Sequence, residues 1–496
     1  MGVIIRQSIQ NTIISYVGIV LGFITTILMF PHILEPGQYG LTRLLISLTM
    51  VSTQFAHFGM KNVIIRYFPY FQQTERSRYK LLALTFLVPL LGFLLFLVLF
   101  FLFQDLLIQY FSDRSTLFSD YNLYLLPLVF AVLFFEVLNS YVRALQDSVT
   151  GSFIQEVGLR LLTIVLLGIY YYGLIDFPLF MAGFALIYGL QPIFLVGHLI
   201  VQGELSFSKP LKNISARLLK GMGVYAVFSL LGGLATMLVG NIDILMLSAL
   251  KDLENTAVYA IAFYVGSVIA VPQRSISKIA LPVLAGLLRD KNYDEIDRLY
   301  KRTSLNQIIA GSLLFVGIWA NMHNLIDLLP PEYSGLKWVV IVVGAAKLFN
   351  MATGINGGII LNSRFYRFDL YSNIFLVLLT ILTNYLLIPP YGILGAAMAT
   401  ALSLFLYNSI KLIFVWIKFS MQPFRWNALA VLLIAGGCLL LSFEIPYLYN
   451  FVVDVTVRSG IMAAVFLALI LIFGLSDDVK NLVQESLRRI RTFMKR

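Results

Sequence analysis

Apolar segments follow one another along almost the whole chain, and most are near the roughly 20 residues with which a helix crosses a bilayer. Only short polar loops separate them, which leaves no room for a soluble catalytic domain. The chain is 59% hydrophobic and 12% charged, whereas a soluble domain has about a quarter charged residues. The sequence therefore predicts an all-α polytopic membrane protein with about 14 transmembrane helices. The predicted spans are residues 9–30, 40–58, 82–103, 121–141, 153–172, 178–201, 220–247, 256–281, 303–322, 336–360, 368–388, 391–417, 427–443 and 456–474.

Lys and Arg concentrate in alternate loops and in the C-terminal tail, while the intervening loops are acidic. Because cytoplasmic loops of membrane proteins carry the excess of Lys and Arg, both termini are predicted to lie in the cytoplasm. The net charge of +11 follows from this orientation and from contact with anionic membrane lipids. We therefore predict no nucleic-acid partner.

A weak internal repeat divides the chain. EPGQYG follows the first span and KDLENTAVYA follows the seventh, and the helix after each motif ends in a basic stretch. Six spans separate the two copies, so both have the same orientation, which predicts two parallel six-helix lobes around a central cavity plus two C-terminal helices. The predicted parts are an N-lobe at 1–201, a cytoplasmic linker at 202–219, a C-lobe at 220–418, the extra spans at 419–475 and a basic amphipathic cytoplasmic tail at 476–496.

Residues that carry common enzyme chemistry are sparse. The single cysteine, Cys438, lies in an apolar run, so no disulfide or cysteine metal cluster can form within one chain. The four His residues have no metal-ligand spacing, and no phosphate-binding Gly-Lys-Ser/Thr loop occurs. The sequence predicts a transporter and not an enzyme, with no metal and no cofactor. Its energy would come from an ion gradient, the membrane potential or removal of the product.

Several motifs occur in a fixed order: EPGQYG after span 1, NIDILMLSAL in span 7, LLPPEYSG before span 10, and NYLLIPPYGILGAAMATALS across spans 11 and 12. Over residues 1–475 the chain resembles the polysaccharide-biosynthesis, Wzx-type O-antigen flippase branch of the multidrug/oligosaccharidyl-lipid/polysaccharide exporter superfamily. The resemblance implies flipping of an undecaprenyl-pyrophosphate-linked oligosaccharide, or a similar polyprenyl-linked glycan, from the cytoplasmic to the outer face of a bacterial inner membrane. It also implies contact with other polysaccharide-assembly proteins.

Ionisable residues inside spans are costly and usually face an aqueous cavity or a charged partner. Asp243 in span 7, with Asn241 beside it, is a candidate for binding Na⁺ or H⁺ for coupling, or a sugar hydroxyl; a structural ion pair is the alternative. Glu136 and Asn139 in span 4 share a helix face and predict either a cavity-lining stripe or an interhelical anchor. Lys347 in span 10 is expected to snorkel, to pair with a carboxylate or to meet the pyrophosphate.

An anionic pyrophosphate needs cations around it, because an unpaired phosphate in a low dielectric is very costly. Arg43 near the outer end of span 2, and Arg274 with Lys278 near the inner end of span 8, lie on corresponding helices of the two repeats. Arginine binds phosphate in a fork. For Arg274 and Lys278 the alternative is membrane orientation, and for Arg43 it is snorkelling to the interface. A second group of bases predicts a rim at which the headgroup enters, again with orientation as the alternative: Lys61, Arg66 and Arg160.

Two other functions stay open. A cation-coupled exporter of small cationic drugs belongs to the same superfamily, but its cavity should be net acidic. An integral-membrane glycosyltransferase or O-antigen polymerase usually needs a substantial outer loop with catalytic acidic or Arg residues, and the outer loops here are short. We therefore expect a flippase that works by alternating access, with a lipid-linked oligosaccharide and membrane lipids as partners.

Overall fold

The computed structural model describes residues 2–71, 75–112, 116–204, 215–448, 450–481 and 483–485. These residues are largely helical, and no strand occurs among them. They form two compact units, Met1–Ala260 and Ile261–Arg496. Most of the predicted linker at 202–219, and most of the predicted amphipathic tail at 476–496, lie outside the described residues.

The first unit contains the helices from α1 to α11 and the first half of α12. A π-helical turn, Ile24–Met29, joins α1 to α2, and a second, Ile154–Gly158, joins α8 to α9. A 3₁₀ turn, Asn122–Tyr124, joins α6 to α7. The helices are α1 Gly2–Phe23, α2 Phe30–Ile33, α3 Pro36–Ala56, α4 Met60–Phe71, α5 Glu75–Ser112, α6 Leu117–Tyr121, α7 Leu125–Ala144, α8 Val149–Phe153, α9 Leu159–Tyr171, α10 Phe177–Val201, α11 Ala216–Leu250 and α12 Leu253–Val268.

The second unit contains the remaining helices. A 3₁₀ turn, Pro331–Tyr333, precedes α16. The helices are α13 Val271–Arg289, α14 Tyr293–Ala320, α15 Met322–Asp327, α16 Leu336–Ala352, α17 Asn356–Leu361, α18 Tyr366–Phe419, α19 Trp426–Leu441 and α20 Phe451–Ile472. The two C-terminal helices, α19 and α20, pack on α14 through a fully buried apolar cluster that includes Val316, Val431 and Phe466.

The motif EPGQYG forms the start of α3. Glu35 has extended backbone, and its side chain accepts from the backbone of the third helical residue. The side chain of Gln38 accepts from the Glu35 N–H at 3.2 Å, which completes a capping box. Pro36 occupies the first turn, where its missing N–H costs nothing. A Cβ on Gly40 would overlap the carbonyl oxygen of Leu253, so only glycine permits this approach.

Every predicted span coincides with a helix or a broken pair of helices. Among the described residues, nine helices are long and apolar enough to cross a membrane, or ten when α12 and α13, bent by 47°, count as one span. The predicted spans beyond these are α3, which is rich in Ser and Thr, the second arm of α18, and α16 and α19, with 17 and 16 residues. The predicted all-α polytopic fold class is confirmed. The division into six-helix lobes remains a prediction.

Predicted spans 11 and 12 are the two arms of α18, which has 54 residues. Pro389 and Pro390 precede Gly392, whose φ of 56° and ψ of −129° break the helical path. A left-handed φ is readily adopted by glycine. The arms are therefore joined almost without a loop.

Candidate functional site

Two predicted substrate residues lie on one face of α13 in the second unit. Arg274 and Lys278 are four residues apart, which places them one above the other on the helix. Both side chains are exposed, and no carboxylate among the described residues lies within 4 Å of either. Cations inside a span are too costly to face lipid. This face of α13 is therefore able to bind an anion from water.

The start of α13 lies next to the same two bases. α12 and α13 meet at a 47° bend, so the first N–H groups of α13 have no carbonyl partner in a preceding turn. Pro272 occupies this first turn. Helix ends inside a membrane protein place unpaired N–H groups beside anionic ligands. The bend thus leaves N–H donors at the start of α13, within one turn of Arg274.

A polar link connects α13 to α16. Asn350 Nδ2 donates to Gln273 Oε1 at 3.1 Å, next to Arg274 in the chain. One turn earlier on α16, Lys347 lies half-buried with its Nζ 5.1 Å from the ring centre of Phe263. The structure therefore brings the neighbourhood of Lys347 close to the start of α13 within the second unit.

Arg43 lies in the first unit among aromatic rings. Its guanidinium carbon is 5.1 Å from the ring centre of Phe30 and 4.8 Å from that of Tyr39. Its Nε is buried, and no described residue provides a hydrogen-bond partner for that nitrogen. The aromatic contacts make snorkelling alone an incomplete account of Arg43.

The predicted rim residues have different surroundings. Arg160 Nη2 lies 3.3 Å from Glu156 Oε2, and Glu156 belongs to the π-helical turn that precedes α9. Lys61 pairs with Glu136. Arg66 lies 4.3 Å over the ring of Tyr225. Each base therefore already has a partner inside the first unit.

Glu136 and Asn139 share a helix face but make separate contacts. Glu136 pairs with Lys61 on α4, and the two side chains are 17% and 30% exposed. Asn139 packs against Gly151 on α8, where any Cβ would overlap its amide. These contacts support the interhelical-anchor interpretation for both residues, since each ties α7 to a neighbouring helix.

Asp243 and Asn241 also point to different partners. The hydroxyl of Tyr259 donates to Asp243 Oδ2 at 2.6 Å, and the aspartate is 4% exposed. Asn241 Nδ2 donates to the Met237 carbonyl at 2.9 Å in its own helix. Asp243 is therefore a buried acid that is hydrogen-bonded to the next helix, α12. Asn241 instead bonds to a backbone carbonyl of its own helix, α11.

Two buried charge clusters in the second unit were missed from the sequence. Lys411 Nζ donates to Asp369 Oδ1 at 2.6 Å and also contacts the hydroxyl of Tyr407. Arg458 pairs with Asp454 at 3.1 Å on α20. The second pair is spaced i, i+4, a signal that was available. The first joins residues 42 positions apart, which no local pattern reveals.

No group of three or more His, Cys, Asp or Glu residues in the described part of the chain is placed to hold a metal ion. Two of the buried carboxylates there, Asp369 and Asp454, pair with Lys411 and Arg458.

No protein-family model matches the chain, and no curated protein matches it. Solved structures do. The chain is similar to the lipid II flippase MurJ in its inward closed conformation, with a TM-score of 0.71 at 14% identity over 94% of this chain and 98% of that one. It is also similar to an inward-facing multidrug resistance MATE family transporter of the MOP superfamily, with a TM-score of 0.63 at 15% identity over 79% and 92%. A MATE protein in complex with MaL6 gives a TM-score of 0.53 at 15% identity over 84% of this chain and 96% of that one. The chain therefore has the fold shared by MurJ and the MATE transporters of the MOP superfamily.

Proposed function

We propose that the protein flips a polyprenyl-pyrophosphate-linked oligosaccharide from the cytoplasmic to the outer leaflet of a bacterial inner membrane by alternating access. The product would serve cell-surface polysaccharide synthesis, as for O-antigen of lipopolysaccharide. The observation that carries the proposal is the exposed, unpaired pair Arg274 and Lys278 on α13. A membrane face with free cations suits an anionic headgroup and disfavours a cationic drug.

The pyrophosphate chemistry follows from the donor types. Arg274 offers a planar fork that matches two phosphate oxygens, and Lys278 adds a point charge one turn away. The first N–H groups of α13 add neutral donors in the same region. Lys347 is the proposed further cation of this headgroup site. Arg43 is proposed to contact the substrate separately within the first unit, through its unpaired buried Nε.

Asp243 is the proposed coupling residue. Its carboxyl group is buried and accepts from Tyr259. Burial disfavours the charged form of an acid, so binding Na⁺ or H⁺ at Asp243 would neutralise a costly charge. The bound ion would thereby stabilise the packing of α11 against α12. Asn241 is the weaker candidate, since its amide is used within its own helix.

A second candidate function is export of small molecules coupled to a cation. It is favoured by the likeness to MATE transporters. The two functions differ in the charge that the substrate must carry. A drug exporter of cations should tolerate loss of Arg274 and Lys278, whereas a pyrophosphate flippase should not.

Depletion of the protein in its host tests the proposal. We expect the lipid-linked oligosaccharide to accumulate on the cytoplasmic leaflet, where an added impermeant glycosidase cannot reach it. Wild-type chain and Arg289→Gln should restore delivery, because Arg289 is an exposed base on the same helix that pairs with Asp290. Arg274→Gln with Lys278→Gln should not restore it. Normal outward delivery in a complete deletion without a paralogue contradicts the flippase.

A further inference from the structure

A cavity of about 290 Å³ lies in the second unit, and no residue of α13 lines it. It is enclosed by the end of α14, the start of α16, the segment between α19 and α20, and the first turns of α20. Helix ends of a membrane protein lie near the boundary between lipid and water, where Trp and Tyr concentrate. We call this space the C-terminal cavity.

The floor of the C-terminal cavity is a saturated ion pair. Arg458 is 4% exposed and Asp454 is fully buried. The guanidinium donates to both oxygens of Asp454 at 3.1 Å. It also donates to the carbonyls of Ser442 at 3.1 Å, Ile445 at 3.3 Å and Pro446 at 3.2 Å. All five N–H groups of arginine are thereby used, so Arg458 shapes the cavity but has no donor left for a ligand.

Asp454 is equally occupied. Besides Arg458, it accepts from His323 Nε2 at 3.0 Å, from the Asn324 amide and from the backbone N–H of Leu448 at 3.0 Å. A carboxylate with this many donors is compensated within the protein. Its charge and that of Arg458 cancel, and neither group needs a ligand.

Lys337 is the cation of the cavity that keeps its donors. Its Nζ lies 5.6 Å from the ring centre of Trp319 and 5.7 Å from that of Trp338, within the range of a cation–π contact, which attracts the charge and leaves the N–H groups able to donate. No carboxylate among the described residues pairs with it. Three ammonium N–H groups therefore remain for a ligand.

Aromatic rings form the wall beside Lys337. Trp319 meets Phe443 edge to face at 6.2 Å, and His323 meets Tyr447 at 5.3 Å. Phe443 is 68% exposed and Tyr447 is 52% exposed. The mouth of the cavity is therefore apolar while its interior carries one positive charge. A ligand that matches has an anionic head of a few atoms and hydrocarbon directly attached to it.

We propose that the C-terminal cavity binds the phosphate headgroup of an anionic membrane lipid, with Lys337 as the phosphate ligand and the Trp319 ring as its wall. The volume suits a glycerophosphate group and lies at the low end of ligand pockets. The apolar mouth leaves the acyl chains in the bilayer. This site is independent of the transported substrate, because none of its residues belongs to the proposed pyrophosphate site.

Native mass spectrometry of the purified full chain tests the site. The probes are phosphatidylglycerol, diacylglycerol with the same acyl chains, and inorganic phosphate. We expect the wild type to retain phosphatidylglycerol in preference to diacylglycerol. Lys337→Gln should weaken that retention about tenfold, the effect of losing one charge-assisted hydrogen bond. Trp319→Leu should weaken it less.

The matched control is Lys418→Gln. Lys418 is an exposed lysine of the same unit whose Nζ also lies over an aromatic ring, 6.0 Å from Phe365, but outside the cavity. The Lys418→Gln variant should retain phosphatidylglycerol as well as the wild type does. Equal retention by Lys337→Gln and the wild type overturns the proposal. So does binding of inorganic phosphate at Lys337 as strong as that of the lipid, because the site would then take a free anion.

Discussion

Two sets of charges in the second unit have opposite surroundings. Arg458 and Asp454 are buried on α20 and satisfy each other. Arg274 and Lys278 on α13 are exposed, and no described carboxylate lies within 4 Å of them. Both sets occur on helices that belong to predicted membrane spans. A charge in a span is therefore not by itself a sign of substrate binding.

The hydrogen-bond capacity of each group separates the two sets. A guanidinium that donates all its N–H groups to the protein fixes the packing of helices and loops. One that donates none within the protein keeps that capacity for a ligand. The difference predicts opposite results in stability and binding measurements, and the following variants examine it.

The largest effect on stability is expected for Asp454→Asn. Removing the carboxylate leaves the buried Arg458 without its counter-charge, which should lower the free energy of unfolding by about 3–5 kcal/mol. Denaturation in mixed micelles measures this. Replacing both partners, as Asp454→Leu with Arg458→Met, should recover much of the loss. Equal losses in the single and double variants would show that the pair is not mutually compensating.

The next effect concerns binding. Arg274→Gln with Lys278→Gln should weaken the binding of geranyl pyrophosphate, a short soluble probe, about a hundredfold, since two charge-assisted contacts are lost. The free energy of unfolding should change by less than about 0.5 kcal/mol, as for exposed positions. Calorimetry with geraniol as the uncharged control isolates the pyrophosphate contribution. A large loss of stability with unchanged affinity would place these bases in the structural set.

A smaller effect is expected for Glu136→Gln in the first unit. Its pair with Lys61 is partly buried, so the loss should be about 1–2 kcal/mol, between the values for exposed and buried pairs. Binding of geranyl pyrophosphate should be unchanged if Lys61 is an anchor. Lys61→Met should behave similarly in both measurements. Weakened binding in Lys61→Met alone would assign Lys61 to the headgroup rim.

The smallest effect is a pH dependence at the end of α20. Arg302 donates to Asp478 Oδ2 at 2.7 Å, and this bond, with one from the Asn306 amide, lowers the pKa of Asp478 despite partial burial. A lowered folded pKa means that the stabilisation is complete above the unfolded pKa, about pH 4, and is lost as pH falls through the folded value. The contribution is below about 1 kcal/mol. Asp478→Asn should remove this part of the acid-limb slope in melting curves, whereas an unchanged slope would assign it to other carboxylates.

The sequence predicts the helices well because hydrophobic length and turn residues are local properties. The start of α3 follows from Glu35, Pro36 and Gln38 alone. The bend between α12 and α13 does not follow in this way, although Pro272 marks its position.

The partners of the charges depend on helix packing. The Lys61–Glu136 and Lys411–Asp369 pairs join residues far apart in the chain. A single sequence contains no signal for such contacts. From the sequence alone, a charged residue that pairs with a distant partner cannot be distinguished from one that is free to bind a ligand. The i, i+4 pairs Asp454–Arg458 and Glu156–Arg160 are exceptions, because their spacing along a helix indicates contact.

The tight turn in α18 has a mechanical consequence. Its two arms are tied at successive depths by Thr383 with Ser403 at 3.0 Å, by Tyr407 with Asn373 at 2.8 Å, and by Lys411 with Asp369. Because a single non-helical glycine, Gly392, connects the two arms, no flexible loop allows one arm to slide along the other. We therefore expect the two arms of this hairpin to move together as one rigid body.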